Sequence, residues 1–162
     1  MIGNDIVDLA LARKESNWKR KGYLEKIFTK EEQLLISHSQ NPGNMVWNLW
    51  SRKEAVYKIY NRETQIRKFN PLELVCFDTH LIIGKVIYEG HIYFVKTEVT
   101  DEYIHSVAVT NADHFDKIKR VDSKIKVEKQ NGLPFILNIE NQVLKPISIS
   151  HHGRFEIKIM IN

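Results

Sequence analysis

Trp50, Glu54 and Lys58 stand four residues apart in the stretch LWSRKEAVYK. Four-residue steps stack side chains on one face of a helix, so an indole, a carboxylate and an ammonium form a single column. A column of that makeup has a chemical use. Its carboxylate can hold a hard cation such as Mg²⁺, which takes one or two protein acids while substrate phosphates and waters complete its octahedron. The ammonium groups of Lys53 and Lys58 can neutralise phosphate oxygens, and displacement at phosphorus depends mainly on such positioning and charge neutralisation. The same Glu54 and Lys58 also fit an ordinary exposed i,i+4 ion pair. Asp5 is a second acid of interest, because it lies within the apolar run IGNDIVDLA and there needs a partner or a metal.

The elements that must position these residues read as an α+β layout. IGNDIVDLA is a short buried strand, and LARKESNWKRKGY a polar-faced helix that Gly22 can end. In FTKEEQLLI, Thr29 is an N-cap with Glu32 three residues on, a capping-box spacing that starts a second helix. Asn41-Pro42-Gly43 breaks that helix, and Asn44 can cap a third over MVWNLWSRKEAVYKIY, about four turns long, with Val46, Trp47 and Trp50 as core anchors. From Phe69 the pattern becomes short β-branched and aromatic runs, LVCFD, LIIGKVIYEG, HIYFVKTEV and YIHSVAVT, which predict an antiparallel meander. Asn111 to Arg120 reads as a connector with one helical turn. Two hairpin arms follow, turning at Asn131-Gly132 and near His152-Gly153. Phe155, Ile157, Ile159 and Ile161 alternate in the last strand, so one of its faces is buried and requires a partner sheet. The fold expected is an antiparallel sheet with helices inserted after the first strand.

A chain of 162 residues is long enough to bury a core without staples. Its one cysteine, Cys76, can form no intrachain disulfide and sits in a strand-like run, as a core residue in a reducing compartment would. The two aspartates in MIGNDIVDLALA are foreign to secretory signals and transit peptides, and no apolar run approaches membrane-spanning length, so a soluble, cytoplasmic protein is expected. The net charge of +4 favours anionic partners, but the basic residues are dispersed and no arginine-rich arm is present. A nucleic-acid-binding sheet would cluster stacking aromatics with Arg on one face, and HIYFVKTEV does not. His38, His80, His91, His105 and His114 show no ligand spacing and read as surface or turn histidines.

Four stretches in consistent order, IGNDIVDL, FTKEE, WSRKEAVYK, and NGLPF followed by SISHHG, together resemble the 4'-phosphopantetheinyl transferase superfamily, in particular the small holo-acyl-carrier-protein synthases. They are similar to that family's Gly-x-Asp strand, its Phe-(Thr/Ser)-x-x-Glu element, its Trp-x-x-Lys-Glu-(Ala/Ser)-x-x-x-Lys helix, and its Gly-(Lys)-Pro and Ser-His segments. The resemblance implies transfer of the phosphopantetheine arm of coenzyme A to a serine of an acidic acyl or peptidyl carrier protein, with release of adenosine 3',5'-bisphosphate. It implies a place in fatty acid or polyketide biosynthesis. Asp5 and Glu54 would be the Mg²⁺ ligands, and Lys58 would hold the diphosphate. Glu54 or a metal-bound water would take the serine proton. Lys53 and Trp50 would shape the site, and Ser150 and His151 would match the pair that touches coenzyme A phosphates. A non-catalytic relative that only binds coenzyme A or carrier protein remains the alternative.

The chain departs from the larger, two-lobed members in having Val7 where they often carry a second acid. The next acid is Asp8, which points to the opposite face of a strand from Asp5 unless the strand has ended. The expected organisation is a metal- and coenzyme-A-binding lobe over residues 1–111 and a C-terminal hairpin extension over residues 112–162 that completes the site. Completion within one chain implies a monomer, and completion against a neighbour a cyclic homo-oligomer.

Overall fold

The chain, as a computed structural model, is described over residues 1–79, 83–138 and 142–162. His80 lies outside those residues. The first strand, β1 (Ile2–Asp8), runs directly into a short helix, α1 (Leu9–Glu15), because the Asp8 carboxylate accepts from the backbone N–H groups of Ala10 and Leu11 and caps it. The helix ends at Ser16, not at Gly22 as expected. Gly22 instead takes a left-handed conformation (φ 80°) and opens α2 (Tyr23–Ile27). Thr29 and Glu32 form the expected capping box at the start of α3 (Lys30–His38).

The third expected helix is longer than the sequence suggested: α4 spans Pro42–Thr64, 23 residues. Asn41, not Asn44, caps it, accepting from the Asn44 N–H, while Pro42 occupies the first turn, where its missing donor is not needed. Val46, Leu49, Ala55, Val56 and Ile59 are wholly buried on its inner side.

The meander forms as β2 (Val75–Phe77), β3 (Ile83–Tyr88), β4 (His91–Val99) and β5 (Tyr103–Val109). With β1 it makes a five-stranded antiparallel sheet in the order β1-β5-β4-β3-β2, and β1 is therefore an edge. One face of this sheet carries α4. A 3₁₀ turn (Ala112–Lys117) then leads into β6 (Ile118–Arg120), a strand not foreseen within the connector. The hairpins are β7 (Glu128–Gln130) with β8 (Leu133–Asn138), turning through left-handed Asn131 and Gly132, and β10 (Ser148–His152) with β11 (Phe155–Ile161). Strand β9 (Val143–Pro146) extends the first of these into a sheet β7-β8-β9, and β6 extends the second into β10-β11-β6. The alternation in β11 finds its partner on the far face of the five-stranded sheet. Ile157, Ile159 and Ile161 pack there with Ile2, Phe94, Val107, Val109, Phe115 and Ile118.

Lys53 ties α4 to the end of α2, to α3 and to the segment at Pro71. Its ammonium is fully enclosed and donates to Glu32 Oε2 (2.6 Å), Pro71 O (2.7 Å) and Ile27 O (3.0 Å). Glu32 in turn accepts from the backbone N–H groups of Thr29 and Cys76. Removing one partner of such a pair leaves an uncompensated buried charge. Lys53→Met is accordingly expected to destabilise the fold by about 3–5 kcal/mol, read as a lower urea midpoint. A loss below about 1 kcal/mol, the size of an exposed pair, would contradict this.

Candidate active site

Gly3 and Ala55 fix the approach of β1 to α4. A Cβ on Gly3 would run into the Ala55 carbonyl, so only glycine lets the strand lie this close to the helix. Asp5, two residues along the strand on the same face, and Glu54, next to Ala55, are thereby brought to one cavity of about 310 Å³. Ala12, Tyr23, Trp47 and Trp50 form its apolar wall, and His151 and His152 close it from β10. Trp50 is held edge-on against Phe69, ring centroids 5.6 Å apart.

In both acids burial and the charge of Lys58 act in opposite directions. Burial pushes Glu54 up to about 7, helped by the negative charge of Asp5 and opposed by Lys58. Burial also raises Asp5, against the ammonium and hydrogen bond of Lys58 and a hydrogen bond from Ser150. Lys58 lies between β1 and β10: its Nζ donates to Asn4 O (2.7 Å), to Asp5 Oδ1 (3.3 Å) and to Ile149 O (3.4 Å).

On the far side of Lys58 a second cavity of about 180 Å³ is lined by Tyr57, Asn61, Arg62, Pro134 and Ser148. Arg62 donates through Nη2 to the carbonyls of Ile147 and Pro134, stacks over Phe135, and has a buried Nη1 without a partner among the described residues. Sequence reasoning passed over Arg62, although it stands four residues after Lys58 and continues the column of Trp50, Glu54 and Lys58.

Of the other residues singled out, Ser150 is buried, accepts from the Ile6 N–H and donates to Asp5 Oδ1. His151 is exposed at the cavity rim. Lys53 is not brought to this cavity, because α4 turns it toward Glu32 on the opposite side. Asp8 closes the strand, caps α1 and pairs with Arg154, which holds its carboxyl well below the usual range. His105 is not a surface residue: it is buried, accepts from the Asn4 amide, and burial lowers it to about 4. Cys76 is core, its thiol pushed up to about 12 by burial, so it is no nucleophile at neutral pH.

Two acids and an ammonium thus converge beside a cavity, on a fold with helices inserted after the first strand. The family model of the 4'-phosphopantetheinyl transferase superfamily matches residues 1–110, and the chain belongs to that superfamily. Among solved structures, the apo-ACPS structure from Chronobacterium ammoiniagenes is similar in fold, with a TM-score of 0.53 at 14% identity, covering 67% of this chain and 93% of that one. No curated protein matches the chain. No helix among the described residues is long and apolar enough to cross a membrane.

The raised Glu54 has a stability consequence with a definite sign. Between its ordinary 4.5 and about 7 the folded state binds the proton that the unfolded state has lost, so stability should fall as pH rises through that window. Urea unfolding in EDTA should show this fall, Glu54→Gln should lessen it to the part that Asp5 contributes, and the variant should exceed wild type in stability at pH 8. Identical profiles for the two proteins would remove the burial account.

Proposed function

We propose that the chain transfers the 4'-phosphopantetheine arm of coenzyme A to a serine hydroxyl of an acyl or peptidyl carrier protein, releasing adenosine 3',5'-bisphosphate. Its main support is the convergence of Asp5 and Glu54, two acids held at raised pKa, with the Lys58 ammonium beside one cavity. The single Lys58 ammonium cannot balance two buried carboxylates, and a bound cation would make up the difference. Among the described residues no group of three or more His, Cys, Asp or Glu side chains could hold a metal. The two carboxylates at the cavity, Asp5 and Glu54, would suit Mg²⁺, whose other positions go to phosphate oxygens and water. When bound, the ion would supply charge stabilisation of the departing bisphosphate.

The chain's own residues divide the remaining work. The serine oxygen forms a bond to the phosphorus nearer the pantetheine, and the bond from that phosphorus to the bisphosphate oxygen breaks. Glu54, at the cavity beside Asp5, is placed to take the serine proton directly or through a bound water. Lys58 is placed to leave Asp5 for the diphosphate oxygens and stabilise the charge that develops on them. Arg62 and Tyr57, in the second cavity, suit the nucleotide end of the substrate. Trp47, Trp50 and Tyr23 exclude water on the pantetheine side. Because β10 reaches the cavity from the same chain, we read the site as closing within one chain, the hairpin extension over residues 112–162 completing the lobe.

A mixture of the protein with coenzyme A, Mg²⁺ and an apo carrier protein should give a carrier heavier by one phosphopantetheine arm in mass spectrometry. Asp5→Ala and Glu54→Ala should abolish the product. Lys58→Ala should lower turnover by about 10²–10³, the usual effect of losing one transition-state donor, and Lys58→Arg should recover little of it. Coenzyme A binding without transfer would leave a non-catalytic binding relative.

Arg13, Lys14, Lys19, Arg20, Lys21 and Lys26 are exposed on the α1–α2 segment, next to the cavity wall formed by Ala12 and Tyr23. An acidic carrier protein suits that surface. Association should therefore weaken as ionic strength rises through the physiological range, measured by calorimetry or anisotropy. A flat salt response would assign recognition to apolar contacts.

A further inference from the structure

Strand β10 alternates its side chains, so Ser148, Ser150 and His152 turn toward β1 while Ile149 and His151 turn away. The Asp8 backbone N–H donates to His152 Nδ1 at 2.8 Å. A backbone amide is always a donor, so Nδ1 must present its lone pair, and in the neutral ring the proton resides on Nε2. That nitrogen has no protein partner among the described residues, and His152 lines the cavity that holds Asp5 and Glu54.

The ring is held from behind. Arg154 grips Asp8 through two parallel contacts, Nε to Oδ2 (2.9 Å) and Nη2 to Oδ1 (3.0 Å), while its own backbone N–H donates to Oδ2 (3.1 Å). Gly153, between the two residues, has left-handed φ of 53°, and a Cβ there would lie 2.6 Å from Asp8 Oδ2. The turn that follows His152 is thus seated on the same residue whose N–H fixes the imidazole.

We infer that His152 is a further substrate-binding residue, locked as the Nε2–H tautomer by Asp8 and directing that N–H at a phosphate oxygen of the ligand in the cavity. The identity of that ligand, coenzyme A, rests on the transferase reading above. In this role His152 is neither a metal ligand nor a general base, since its one lone-pair nitrogen is occupied by Asp8. It supplies a directional donor where Lys58 supplies charge. Arg154 is a positioning residue that acts through Asp8.

The test joins a spectroscopic arm and a binding arm. Long-range ¹H–¹⁵N correlation at pH 8, where an ordinary imidazole is neutral, should show His152 protonated on Nε2, the signal being assigned by its loss in His152→Gln. Arg154→Ala should mix the two tautomers. Calorimetry with coenzyme A and Mg²⁺ should show binding weakened about tenfold or more in His152→Ala, the loss of one good hydrogen bond to a charged group, with partial recovery in His152→Gln, whose amide can donate from a similar place. A proton on Nδ1 in the wild type, or coenzyme A affinity unchanged in His152→Ala, would overturn the inference and leave the transferase reading standing. A wild type that binds no coenzyme A would overturn the transferase reading and the ligand assigned here, whichever tautomer the spectrum reveals.

Discussion

The outer edge of β1 is the feature on which the rest of the molecule depends. An edge strand presents a row of backbone N–H groups that must be satisfied or left to attract another chain. Here the N–H groups of Asn4, Ile6 and Asp8 are taken by Ser148 Oγ, Ser150 Oγ and His152 Nδ1, three side chains at alternate positions of β10. A backbone ladder would have made β10 a sixth strand in the plane of the sheet. Side chains reach further, and the wider seam admits the Lys58 ammonium, which bonds a carbonyl on each side, Asn4 O and Ile149 O. The edge is closed and the cation is placed by one arrangement.

That arrangement joins residues 144 apart in sequence, and its distance along the chain sets what the sequence could disclose. Local signals read correctly: the Thr29–Glu32 capping box, the Asn131-Gly132 turn, and the buried alternation of β11 are each written in a few neighbouring residues. The N-cap of α4 was also written locally, in the preference of proline for the first helical turn, which points to Asn41 before Pro42. What the sequence did not disclose depends on packing between distant elements. Nothing near His105 announces that Asn4 will enclose it, and nothing near Asp8 announces Arg154. The three residues of β6 are a strand only because β11 passes beside them.

Lys53 and Glu54 show the limit most sharply. The two are adjacent, and on a helix adjacent side chains point about 100° apart, so one can face a core layer while its neighbour faces a cleft. The sequence puts a lysine on either side of the chemistry, Lys53 and Lys58, and the placement of α3 decides between them. Glu32 draws Lys53 inward, where it binds α4 to α3, to the end of α2 and to the segment at Pro71. With that ion pair anchoring the helix, Glu54 is presented to the cavity at a raised pKa, because burial disfavours its charged form.

The column that begins at Trp50 is therefore a wall, and a longer one than three residues. Trp50, Glu54, Lys58 and Arg62 follow one another at four-residue steps, so from first to last they cover about 18 Å of helix. Along that length the character changes in order, from indole to carboxylate to ammonium to guanidinium. The first two line one cavity, the last two line the other, and Lys58 reaches across to Asp5 at the junction. A compact ligand would use one end only. An elongated ligand with an uncharged arm, a central diphosphate and a further anionic group would meet each side chain in turn, and the polar seam between β1 and β10 runs alongside to receive its middle.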